Sequence, residues 1–206
     1  QAAAEVDQKD FQIQDYTIAN ISKFLSKQQN KKLAFDPWTL TCREQQAFNK
    51  LENLVPTNTN LIDAVWEDQP NIPANPIIEY PLKYAGEPSL NKRQKIVKTL
   101  KADGVVLCRA DSIAWLLNLR GSDVDCTPIF LSYAYMDKQG HVTLFCNVDQ
   151  VDASVDLEKI DYRNTDDISE FLQDLKGQSV LLDQQKTPYA IYENLKHQSQ
   201  IIFGED

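Results

Sequence analysis

The sequence predicts an α/β fold, a mixed sheet flanked by helices, and three observations point there. Short runs rich in β-branched and apolar residues, "GVVLC" at 104–108, "SVLLD" at 179–183 and "QIIF" at 200–203, alternate with stretches of helical period. Two longer apolar runs, "PIFLSYAYM" at 128–136 and "HVTLFC" at 141–146, are joined by "DKQG", a hairpin signal in which Gly140 supplies the freedom at φ. A hairpin among strands that are otherwise separated by helices requires parallel and antiparallel pairing in one sheet.

Taken in order, "FQIQ" at 11–14 alternates as a strand, and Thr17–Lys27 places Ile18, Ile21, Phe24 and Leu25 at helical spacing. "KLAFD" at 32–36 reads as a short buried strand. "TCREQQAFNKLENL" at 41–54 reads as a helix with Thr39 or Thr41 as N-cap, and Glu44 stands three residues after Thr41 as a capping box requires. Prolines 70, 73, 76, 81 and 88 remove backbone donors and fix φ, so residues 67–88 form an extended connector that neither a helix nor a central strand runs through. A helix is predicted over 89–102, whose Lys92, Lys95 and Lys98 form a solvated face opposite Leu90, Ile96, Val97 and Leu100. A second helix starts near Asp111, its candidate N-cap, and carries Ile113, Leu116 and Leu117. "ISEFLQDLK" and "PYAIYENLKH" supply two further helices, with Pro188 in the first turn of the last.

Composition bounds the function. The chain has 206 residues, 42% hydrophobic and 25% charged, with a net charge of −9. A chain of this length buries roughly 70% of its unfolded surface and needs no staples. The acidic balance opposes nucleic-acid binding, which rests on Lys and Arg displacing counterions from phosphates. No run approaches the roughly 20 apolar residues that span a bilayer. The start, "QAAAEVDQKD", lacks a charged residue followed by an apolar block and so is no signal peptide; it also lacks Met, as an excised piece would. Cys42, Cys108, Cys126 and Cys146 are scattered without a Cys-x-x-Cys, and Cys108 and Cys146 read as core residues of a cytoplasmic protein.

Catalytic constellations are not found. The two histidines, His141 and His197, suit surface or cap roles, and Asp166-Asp167 and Asp123-x-Asp125 are the tight carboxylate pairs. No dimetal set can be assembled from them. A Gly-x-Ser-x-Gly elbow, a GxGxxG turn and a phosphate loop are all missing from a chain with six glycines. What remains is "SIAWLLNLRGSDV" at 112–124, an apolar helix that ends in a charged turn. Gly121 permits a left-handed or strained conformation there. Either Asp123 or Ser122 caps local amides while Arg120 pairs with Asp123 or a carbonyl, or the turn is a polar finger aimed at a cleft made with another part of the protein.

"DSIAWLLNLRGSDV" followed by "TPIFLSYAYM" resembles the second N-terminal domain of three-domain aminopeptidase P, the Xaa-Pro aminopeptidases. "FDPWTLT" at 35–41, "LVPTNTNLIDAVWEDQP" at 54–70 and "YPLKYAGEPSLNKRQKI" at 80–96 match the same family in the same order. The resemblance implies creatinase/prolidase N-terminal domains of ribonuclease H-like type: the C-terminal part of a truncated first domain at 1–66, the connector at 67–88, and a second domain at 89–206. In that family two divalent metals, usually manganese, and the substrate histidines belong to a C-terminal catalytic domain that these residues do not contain. An Asp-Gly-Arg-Tyr motif just ahead of Gln1 is likewise outside them. No catalytic, metal or cofactor residue carries over. The resemblance implies an inert piece of an enzyme that removes the residue preceding proline from peptides, with Arg120, Gly121, Ser122 and Asp123 lining the substrate cleft. Its partners would be its own catalytic domain, peptide substrates and a possible second copy, with no nucleic acid and no membrane. A stand-alone binding module of the same fold is the alternative. A ribonuclease H-like nuclease would need clustered carboxylates and a basic face, which are not apparent.

Overall fold

The computed structural model describes residues 2–205 except 8, 11, 14–16, 29, 49, 50 and 52. Two residues of the expected 11–14 strand lie outside that set, and Gln12 and Ile13 carry no strand. After a single turn, α1 (Ala2–Glu5), helix α2 (Ile18–Leu25) is capped by Thr17, whose side chain accepts the Asn20 N–H. Strand β1 (Leu33–Phe35), helix α3 (Cys42–Ala47) and strand β2 (Leu54–Pro56) form a small parallel β-α-β unit. Thr41 is the N-cap, and its capping box with Glu44 is complete in both directions. The helix is shorter than its sequence pattern: it stops at Ala47, and the chain enters β2 at Leu54 to pair with β1.

The connector is extended but not featureless. It contributes the two-residue strand β3 (Ile78–Glu79) and the one-turn helix α4 (Leu82–Ala85), both placed between prolines. Helix α5 (Ser89–Val97), strand β4 (Gly104–Leu107), helix α6 (Ala110–Leu117) and strand β5 (Leu119–Arg120) follow. Asp111 lies in the first turn of α6 and accepts from the Arg109 side chain; the N-cap residue is Arg109. The hairpin is β6 (Tyr133–Asp137) and β7 (Val142–Phe145), with Gly140 at φ +77°. Residues 128–132 of the expected strand precede the ladder without joining it. The chain closes through β8 (Ile160–Arg163), α7 (Ile168–Gln173), β9 (Ser179–Leu182), α8 (Tyr189–Leu195) and β10 (Gln200–Phe203).

Among the described residues the main sheet runs β10-β9-β4-β6-β7-β8. β10, β9 and β4 are parallel, β4-β6-β7 antiparallel, and β7-β8 parallel again, a mixed sheet as expected. Alternation splits its side chains between two cores. Val105, Leu107, Met136, Val142 and Leu144 pack under α5 and α6. Val106, Tyr135, Phe145, Val180 and Leu182 pack under α7 and α8. The 37–43 segment is clipped to the sheet domain by backbone bonds: Cys42 N–H to Thr187 O (3.0 Å), Tyr189 N–H to Leu40 O (2.8 Å) and Ala190 N–H to Pro37 O (2.9 Å).

Lys95 on α5 and Lys98 at its C-cap are exposed as expected, but Lys92 does not join them. Lys92 is 4% exposed and Arg93 1%. Both occupy the row that leads to Ile96, Val97 and Leu100, and that row faces the sheet. Arg93 satisfies its guanidinium on Gly140 O (2.6 Å), Glu158 O (2.8 Å) and Lys159 O (3.3 Å), so it ties the helix to the hairpin turn and the β8 approach. Buried charges persist only with such partners. Cys146 is buried as expected, whereas Cys108 is half-buried at the edge of the second core.

Candidate functional site

The 112–124 segment is built from its helix outward. α6 ends at Asn118, which takes the left-handed conformation (φ 54°, ψ 38°) that stops a helix, and its N–H returns to Ala114 and Trp115 carbonyls. Asn118 is 5% exposed, and both polar atoms of its side chain are hydrogen-bonded. Its Nδ2 donates to Glu87 O (2.8 Å), and its Oδ1 accepts from Lys92 Nζ at 2.6 Å. The same ammonium donates to Trp115 O (2.8 Å) and lies 4.5 Å from the centre of the Trp115 ring. Lys92 therefore clamps the end of the helix that launches the turn. Burial, with the positive charge of Arg120 adding to it, holds the Lys92 pKa below the usual lysine value, partly opposed by Glu87.

β5 then pairs antiparallel with β3, setting Ile78 opposite Arg120. Arg120 Nη1 donates to Ala114 O (2.8 Å) and Leu119 O (2.7 Å), and the guanidinium carbon stands 4.3 Å from the centre of the Tyr80 ring. Of the two pairings open to Arg120, the structure has the carbonyls and not Asp123. Gly121 is not at positive φ. Its small size is required by close approach: a Cβ there would stand 2.7 Å from Phe130 Cβ and 3.1 Å from Ile129 O. The left-handed residue of the segment is Asn118, four positions from Ser122.

Asp123 reaches beyond local amides. Its Oδ1 accepts from Asn75 N–H (3.2 Å) and Gln150 Nε2 (3.1 Å), and its Oδ2 from Leu131 N–H (2.9 Å). Ser122 is exposed, and its carbonyl accepts from Asn75 Nδ2 (3.0 Å). Gln150, itself buried, also donates to Asn75 O (2.9 Å). One carboxylate thus joins the connector, the approach to β6 and the loop after β7, while Ile77 between them is fully buried. Lys92, Asn118, Asn75, Gln150 and Tyr80 are the members that the sequence reading missed. A signal existed for Lys92: the apolar row of α5, extended one turn toward the N-terminus, lands on it. The others come from remote segments and leave no local pattern.

His141 pairs with Asp161 at 3.2 Å on the surface. Among the described residues no three His, Cys, Asp or Glu side chains converge as metal donors, so none fits the two metals that the family resemblance implies. No described helix is long and apolar enough to cross a membrane. The arrangement at 118–123 is a rigid, hydrogen-bonded brace with one partly spent cation: among the described residues, hydrogen bonds engage Arg120 only through Nη1.

Residues 68–206, a mixed sheet with helices on both faces, match the creatinase/prolidase N-terminal domain, and the chain belongs to that family. Its relatives then define the company it keeps. It is 34% identical over 154 residues to a probable Xaa-Pro aminopeptidase P of Pyricularia oryzae, covering 68% of this chain and 25% of that protein. It is 48% identical over 84 residues to the Xaa-Pro aminopeptidase ApepP of Drosophila melanogaster, covering 39% of this chain and 14% of that one. The matches fall in the N-terminal part of these proteins, and the chain spans a quarter or less of their length. In fold it is similar to the X-prolyl aminopeptidase of Caenorhabditis elegans, a cytosolic enzyme with a di-nuclear active site. The TM-score is 0.80 at 21% identity, over 94% of this chain and 34% of that one.

Proposed function

We propose that these residues form the non-catalytic N-terminal region of a metal-dependent Xaa-Pro aminopeptidase. The full protein would release the N-terminal residue from peptides with proline in second position, in the cytosol. The observation that carries this reading is that the chain matches a quarter of the length of a protein described as a probable Xaa-Pro aminopeptidase P, within its N-terminal part, and belongs to the creatinase/prolidase N-terminal family. Two divalent metals, manganese by the family resemblance, would be held by a domain beyond this chain. No step of the chemistry is assigned to residues 1–206.

The task of the region is to wall the entrance to that site, limit the length of peptide admitted and help orient subunits. Arg120 is the residue best suited to touch a passing peptide. It is half-buried and anchored by Nη1 to two carbonyls, which leaves Nε and Nη2 of the fork for a carbonyl or carboxylate. Asp123, with both oxygens occupied, positions the turn instead of contacting peptide, and Gly121 and Ser122 complete the surface.

The test uses the full-length enzyme loaded with manganese and a series of proline-second peptides of increasing length. Arg120→Ala is expected to lower kcat/KM for the longer peptides by roughly 10–150-fold, the loss of one charge-assisted hydrogen bond. Dipeptides should be hardly affected. Unchanged kcat/KM at every length in a normally stable variant refutes the contact. Residues 1–206 alone should release no amino acid under the same conditions.

A further inference from the structure

Among the described residues, the α5/α6 face of the sheet is roofed over β4, β6 and β7 but not over β9 and β10. Leu107, Met136, Val142 and Leu144 are buried there. Leu181 of β9 is half-buried at the margin of the same cluster. Ile201 of β10 packs with the opposite core, so alternation turns Ile202 to the α5/α6 side, where it is half-buried and belongs to neither core. The uncovered strip opens into a groove of ≈ 550 Å³ that includes Ile96, Leu100, Leu107, Trp115, Leu116 and Leu181 in its lining. Trp115 is 53% exposed there, a large apolar side chain whose ring also carries the Lys92 ammonium.

Parallel strands are found covered on both faces, because their connections carry helices across them. α8, the crossover from β9 to β10, lies on the opposite face, with Ile191 and Leu195 in the second core. Two strands span about 10 Å, which is the diameter of one helix. Glu205, two residues past β10, lines the groove, so the chain leaving the edge strand reaches it.

From this geometry we infer that the groove seats one amphipathic helix formed by the polypeptide that follows residue 206 in the longer protein. Its apolar face would lie on Leu100, Trp115, Leu116 and Leu181. The inference rests on the reading of this chain as an N-terminal region, in keeping with matches confined to the N-terminal part of its relatives. Continuity of the chain gives such a helix a high effective concentration over the groove, which a separate partner lacks.

The test is site-specific photocrosslinking in the full-length protein. p-Benzoylphenylalanine is placed at Thr99 in one variant and at Ser112 in another, both on the groove lining. Crosslinks should map within about 25 residues after residue 206, the span of a short connection and an average helix. Crosslinks to a second copy, to more distant residues only, or to nothing from either position overturn the inference. The same two proteins are assayed on a proline-second peptide. Retained hydrolysis without the expected crosslink defeats this inference and spares the functional reading; absence of hydrolysis by the unlabelled full-length protein defeats that reading instead.

Discussion

Replacing Lys92 with Met removes the ammonium while keeping most of the stem that packs beneath α6. Three interactions are lost: the bonds to Trp115 O and Asn118 Oδ1, and the cation over the Trp115 ring. Hydrogen bonds from a charged donor contribute about 1.5–3 kcal/mol net, and a largely desolvated cation over an indole about 1–2 kcal/mol. Asn118 Oδ1 is left buried without its donor, at about 1–3 kcal/mol. Against this stands relief from holding an ammonium out of water, several kcal/mol on the same scale, which the lowered pKa of Lys92 reflects. The balance is a loss of at least about 2 kcal/mol, or at least about 4 °C in Tm for a chain of this size. Thermal unfolding followed by circular dichroism, with urea titration beside it, measures the change. A double-mutant cycle with Asn118→Ala should return a coupling of about 1 kcal/mol or more, since the two side chains share a bond. Linkage adds a sign. The unfolded chain holds the Lys92 proton to higher pH than the folded one. Wild type should therefore gain stability relative to Lys92→Met as pH rises through the folded value toward the usual lysine value. A Tm unchanged within 1 °C, or raised, together with zero coupling, would refute the idea that this lysine clamps the helix end.

Three further outcomes are expected. Gly121→Ala forces a Cβ to 2.7 Å from Phe130 Cβ and should cost about 1–3 kcal/mol; a variant as stable as wild type in urea would mean that the 120–123 backbone has room to shift. Hydrogen bonds from Lys138 and Ser179 hold the Asp103 carboxyl well below the usual carboxylate range, so its stabilisation is present above about pH 4 and lost as pH falls through the folded value. The difference in urea midpoint between wild type and Asp103→Asn should accordingly be greatest at neutral pH and shrink in acid, and a difference constant from pH 7 to pH 2 contradicts this. Exposed Cys126 should alkylate with iodoacetamide fastest, whereas burial pushes the Cys42 thiol up to about 12 and that of Cys146 to about 11; mass spectrometry showing Cys146 modified at the rate of Cys126 would count against that core.

Much of the architecture is written in neighbours close along the chain. Thr41 and Glu44 are three residues apart, and their reciprocal bonds form as the spacing requires. The Asp137–Gly140 turn needs one residue at positive φ, and glycine stands there. Alternation through "HVTLFC" assigns Val142 and Leu144 to one core and Phe145 to the other before any partner strand is known. The relatedness to Xaa-Pro aminopeptidases was equally legible, because four blocks of residues keep their order over the chain.

The site divides differently. That 112–124 is an apolar helix ending in a charged turn is local information, and so is the choice of Arg120 to Asp123 as its polar members. What those residues do is not local: Asp123 finds Asn75 at a separation of 48 residues and Gln150 at 27. Gly121 has the neighbourhood of Phe130, not a φ requirement, as its reason. Lys92 reads as a solvated cation until the fold brings the Trp115 carbonyl to it, just as carbonyls from 140 and 158 gather around its neighbour Arg93. Periodicity and caps are properties of a single segment and survive in its residue order. Burial of a charge and the bracing of a turn depend on groups delivered by other segments, and only packing brings those together.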